Sequence, residues 1–130
     1  MQLNSSASFV VHNLDDAKRA LEIAAQAGTD VTLISAPSAA SLLGPRTFNE
    51  MISAAQSDVP CEHIHVDAIL DCGDTAGPAL RAIREGSQHI LTHAPDDVAG
   101  KISEMANASG VTVSRAPMNS TIGQDEAAHG

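Results

Sequence analysis

The sequence predicts an α/β domain on a five-stranded parallel sheet, and two observations carry that expectation. Five short β-rich runs occur at residues 8–12, 31–35, 65–70, 89–92 and 111–114, and each stretch between them has the spacing of apolar residues that marks an amphipathic helix. Strands that alternate with helices pair in parallel, because each helix returns the chain to the edge of the sheet from which the strand started. The pattern is (βα)4β.

After the first run, Asn13 is placed to cap a helix whose first turn holds Asp15 and Asp16, both suited to the positive end of the helix dipole. Leu14, Ala17, Leu21 and Ala24 form its apolar stripe, and Gly28 ends it. Gly44-Pro45 divides the second connection into a short turn, residues 38–43, and a main helix over 45–56. Thr47-Phe48-Asn49-Glu50 has capping-box spacing, which offers Thr47 as an alternative start. Phe48, Met51, Ile52 and Ala55 are its expected inward face, and Pro60 closes the segment.

The third helix is expected from Asp74 or Thr75 to Gly86, with Pro78 in its first turn and Leu80 and Ile83 buried. The fourth starts at Pro95-Asp96-Asp97, runs along a stripe of Val98, Ile102 and Met105, and stops at Gly110. Residues 1–117 form one domain in this reading, and the polar residues 118–130 form a disordered tail. Near-continuous apolar runs such as Ala68-Ile69-Leu70 fit strands covered on both faces. A flavodoxin-like three-layer sandwich is therefore expected, with a half-TIM-barrel-like arrangement as the alternative.

Composition restricts the partners. The net charge is −9 with only seven Lys and Arg in 130 residues, so the concentrated basic surface that neutralises phosphates is missing, and nucleic acid is excluded as an expected partner. The aromatics are Phe9 and Phe48 alone, too few to stack bases. The acidic balance also disfavours anionic membrane surfaces, and no apolar run approaches the roughly 20 residues of a membrane span. Residues 1–6 lack the basic and apolar segments of a secretory signal, so a cytoplasmic location is expected. Cys61 and Cys72 bracket one strand and would stand about 36 Å apart if extended, too far for a disulfide.

Ligands of open α/β sheets sit outside the carboxyl ends of the strands, where helix amino termini point inward. That rule selects His12, Asn13, Ser35, Asp71, Cys72, Asp74, Thr92, His93 and Arg115 as candidate ligand-binding residues. The densest segment is Asp71-Cys72-Gly73-Asp74-Thr75-Ala76-Gly77. Asp71 and Asp74 are the candidate ligands of a divalent cation, and Asp71 and His93 the candidate acid or base. The competing reading has Asp74 or Thr75 capping the helix and Asp71 fixing the turn. Cys72 lies beside a helix start, which lowers a thiol pKa, with His12 or His93 as a base; the adjacent aspartates act the other way, and a small buried cysteine packs well. Arg115 suits a carboxylate or phosphate. Cys61-Glu62-His63-Ile64-His65 contains zinc-ligand types but stands before the third strand, at the end opposite this rim. No nucleotide-binding glycine motif follows any strand.

The order Val10-Val11, Asp71, Thr92 and a basic residue at the ends of successive strands resembles a two-component receiver domain. Where receivers carry an acidic pair, His12-Asn13 stands here, and their Lys-Pro step becomes Arg115-Ala116-Pro117. Residues 67–113 resemble the later βα units of aldolase-type TIM barrels, without a Schiff-base lysine on a strand. A half-barrel would have edges to cover, which leaves a homodimer open. The expected function is that of a small-ligand-binding or regulatory module. The alternatives are a small lyase-like or metal-assisted hydrolytic enzyme, and a degenerate receiver-like domain that binds proteins.

Overall fold

The computed structural model describes residues 6–115. The expected tail and the Ala116-Pro117 step lie outside the described residues. The chain runs β1 (Ser6–Val11), α1 (Leu14–Ala27), β2 (Asp30–Ser35), α2 (Ala39–Leu42), α3 (Pro45–Asp58), β3 (Val66–Asp71), α4 (Ala76–Arg84), β4 (His89–Thr92), α5 (Asp96–Ser109) and β5 (Thr112–Arg115). All five strands are parallel and alternate with helices, the expected α/β architecture, and that alternation is consistent with a flavodoxin-like fold.

Local chemistry sets the helix ends. Asn13 is extended at φ −156°, and its side-chain carbonyl accepts the Asp16 N–H at 2.8 Å, which starts α1. Gly28, at φ 71°, ends the helix by donating its N–H to the carbonyls of Ala24 and Ala25. α3 begins at Pro45 and not at Thr47, because proline in the first turn gives up an amide that has no helical partner there. In α5 the buried residues are Ala99, Ile102 and Ala106, while Met105 is 48% exposed. Alanine lets the helix approach the sheet closely, and that rotates the long Met105 side chain outward.

The strands lie in the order β1-β2-β3-β4-β5. A doubly wound sheet reverses its order part-way and places helices on both faces. This one winds in a single direction, as the half-barrel alternative would. Buried residues from all five helices, among them Leu21, Ala40, Phe48, Ile83 and Ile102, join Val11, Val31, Leu33, Leu70 and Ile90 of the strands in one cluster. The second apolar cluster contains strand residues only, Ile34, Ile69 and Leu91. Among the described residues, the helices thus share one face of the sheet.

Pairing is uneven along β3. Val66 to Ile69 pair with β2, whereas only Leu70 and Asp71 pair with β4. The sheet is therefore split at the amino end of β3, and that split makes the largest difference to the site. Among the described residues, no helix is long and apolar enough to cross a membrane.

Candidate functional site

Side chains of alternate strand residues share a face, so Asp67, Ile69 and Asp71 of β3 lie on the same side as His89 and Leu91 of β4. Two Asp-His contacts cross between these strands. His89 Nδ1 lies 2.9 Å from Asp67 Oδ2, and His93 Nε2 lies 3.1 Å from Asp71 Oδ2. Both join residues 22 apart in the chain, and Ile69 and Leu91 fill the space between them. The second contact repeats the first four residues further along both segments.

At the carboxyl rim, polar groups satisfy one another. Asp71 is 4% exposed and accepts the Gly73 main-chain N–H at 2.9 Å through Oδ1 and the His93 ring Nε2–H through Oδ2. The Asp71 N–H donates to Ser35 Oγ at 2.8 Å, and that hydroxyl donates to the Ala36 carbonyl at 3.2 Å. The His93 N–H donates to the Gly73 carbonyl at 2.8 Å. Gly73 is at φ 74°, and a Cβ there would stand 3.0 Å from Ser38 Oγ, so the turn needs glycine on two counts. Ser38 is itself left-handed at φ 58°. Thr92 points inward, fully buried, and its Oγ1 accepts the Ala94 N–H. Cys72 is buried beside Asp71, and burial first, then the neighbouring carboxylate, pushes its thiol up to about 12. It packs in the core cluster.

The remaining predicted residues do not join this group. Asn13 is the α1 cap, and His12 bonds Asp16 through both its main-chain N–H, 2.9 Å, and its Nδ1, 3.2 Å. Arg115 reaches Asp96 at 2.8 Å and the Ala94 carbonyl at 3.3 Å. His12 follows β1 and Arg115 ends β5, at opposite edges of the sheet. Asp74 is exposed, and Thr75 holds the α4 cap position without a side-chain cap bond. β2 lies between β1 and β3, so the loop after β1 does not adjoin Asp71 as a receiver-like site would require. In the zinc-like segment, Cys61 is buried, while His63 Nε2 donates to the Ala25 carbonyl at 2.9 Å, so the two side chains serve different surroundings. No group of three or more His, Cys, Asp or Glu among the described residues is arranged to hold a metal ion.

The sequential winding explains why the rim has closed. A crevice opens at the carboxyl ends where neighbouring connections depart to opposite faces, and here they all depart to one. The open space lies instead at the other end of β3, where the ladder to β4 is missing. A cavity of about 330 Å³ occupies the split. Asn49, Ser53 and Gln56 of α3 line it opposite Ser87 and Gln88, over Phe48 and Leu70. Ser87 is 4% exposed, and its hydroxyl has no hydrogen-bond partner among the described residues. Its backbone is fixed, since the Ser87 N–H closes α4 on the Ala82 carbonyl at 3.0 Å.

Sequence reasoning placed Ser114 on the carboxyl rim beside Arg115 and missed Ser87 and His89 as site residues. The signal that was present is the i, i+4 repetition of Asp67 and Asp71 against His89 and His93. No family model and no curated protein matches the chain.

Proposed function

We propose that this chain is a small-ligand-binding module whose site is the split between β3 and β4, and whose ligand is a small, neutral, polyhydroxylated molecule of monosaccharide size. The observation that carries this reading is the Ser87 hydroxyl, buried in the wall of a polar cavity and without a hydrogen-bond partner among the described residues. An unsatisfied buried hydroxyl costs about 1–3 kcal/mol, and a ligand hydroxyl would recover that.

The cavity wall defines the ligand class. Carboxamides at Asn49, Gln56 and Gln88 and hydroxyls at Ser53 and Ser87 both donate and accept. Among the described residues no lysine or arginine lines the cavity to attract an anion, and the one carboxylate there, Asp67, is engaged by His89. Ligand pockets start at about 300 Å³, so the volume fits a single sugar ring. Two buried, free cysteines accord with the cytoplasmic location expected from the sequence. A lyase-like or metal-assisted reaction at the rim would have His93 alone to draw on, because both Asp71 oxygens are engaged.

The test is a titration of the ¹⁵N-labelled protein with D-ribose and D-glucose, followed by amide chemical shifts. Shifts confined to residues around Asn49, Ser53 and 86–89, and lost in Ser87→Ala, are the expected result. No shift with either sugar, or shifts unchanged in Ser87→Ala, would overturn the reading.

A further inference from the structure

On the face of the sheet away from the helices, three side chains from three adjacent strands make one hydrogen-bonded line. His89 Nδ1 lies 2.9 Å from Asp67 Oδ2, and His89 Nε2 lies 2.7 Å from Ser114 Oγ. The carboxylate can only accept, so Nδ1 carries the proton; Nε2 of the neutral ring then accepts from the serine hydroxyl. The His89 side chain is 16% exposed and fixed at both nitrogens, while Asp67 is 37% exposed.

We infer that Ser114 is a base-assisted nucleophile that accepts acyl groups from small esters, with His89 as its general base and Asp67 as the residue that positions His89. The atom order, carboxylate to Nδ1 and Nε2 to hydroxyl, is the one in which a neutral imidazole can take the serine proton. As the Ser114 Oγ bond to the acyl carbon forms, the hydroxyl proton passes to His89 Nε2. The carbon-oxygen bond to the alcohol then breaks, and that proton leaves with the alkoxide. Water, deprotonated by the same nitrogen, hydrolyses the acyl-serine to a carboxylic acid and restores Ser114.

The strand supplies a donor for the developing oxyanion. β5 ends the sheet. The Thr112 N–H faces β4 and donates to the Gln88 carbonyl at 2.9 Å. Amides alternate sides along a parallel strand, so the Arg115 N–H, next after the nucleophile, points to the edge of β5 away from β4, where no strand of the described residues pairs. An amide directly after a serine nucleophile is a common oxyanion donor. Asp67 and His89 also border the cavity, yet the two readings fail separately: sugar binding needs Ser87, and acylation needs Ser114.

The experiment is incubation of the full chain with p-nitrophenyl acetate, followed by intact mass and peptide mapping, with the release of p-nitrophenol recorded. One acetyl group on Ser114 is expected, with label lost in Ser114→Ala. His89→Ala should slow acylation about a hundredfold. Asp67→Asn should slow it as well, with Asp67→Glu restoring part of the rate, a rescue that loss of a purely structural contact would not show. Acetylation of lysines alone, or a p-nitrophenol rate unchanged in Ser114→Ala and His89→Ala, would overturn the inference. The variants with substitutions at Asp67 keep the test valid if Ser114→Ala fails to fold.

Discussion

The two ends of β3 contrast in how they use polar groups. At the carboxyl end, Asp71, Ser35, Gly73 and His93 exchange hydrogen bonds, and among the described residues no buried side-chain polar atom there lacks a partner. At the amino end the ladder to β4 is missing, a cavity fills the split, and the buried Ser87 hydroxyl has no partner among the described residues. Both ends carry an Asp-His contact, so the presence of acid and base does not mark the site. What distinguishes the ends is whether hydrogen-bonding capacity remains for something else. A rim rich in functional side chains has used that capacity to hold its turns, and the less conspicuous end has kept some.

The largest effect expected from the closed character of the rim is at alkaline pH. Cys72 is raised from 9.0 to about 12 in the fold by burial and then by Asp71. The folded state therefore keeps its thiol proton where the unfolded chain loses it. Stability is full below pH 9.0 and falls as pH rises from there towards about 12; Cys72→Ala should flatten that decline in urea unfolding measured across the range. Iodoacetamide should leave Cys72 unmodified at neutral pH, and ready alkylation would show that the rim is open.

Asp71→Ala should lower stability by about 3 kcal/mol, since it strands the Gly73 amide and releases His93. Denaturant unfolding measures that loss, and a change near zero would mean that the rim network does not hold the fold. Gly73→Ala should cost about 2 kcal/mol, because the left-handed backbone and the approach of Ser38 Oγ act together. Thermal unfolding checks it.

The strands and helices were legible in the sequence because each is written in a local period. Asn13, Gly28 and Pro45 mark helix ends through chemistry that needs only their immediate neighbours. The site was less legible because it depends on strand order. His12 and Arg115 look equivalent to His93 along the chain, since all three close a strand, yet the sequential order puts them at opposite edges. Ser114 meets His89 across 25 residues, a neighbour relation that no local period encodes. Ser87 is inconspicuous in sequence because its importance lies in a missing hydrogen bond. Met105 shows the remaining limit: a helical stripe predicts which residues share a face, while the small residues that let the helix dock decide how that face is turned.

The most direct measurement is the same substitution, serine to alanine, made beside each end of β3. Ser35→Ala removes the acceptor of the Asp71 amide and should lower unfolding stability by about 1 kcal/mol. Ser87→Ala removes a buried hydroxyl without a partner and should raise it by about 1 kcal/mol. Opposite signs in paired urea titrations are the predicted result. A loss of stability in both variants would contradict the claim that the split between β3 and β4 holds unused binding capacity.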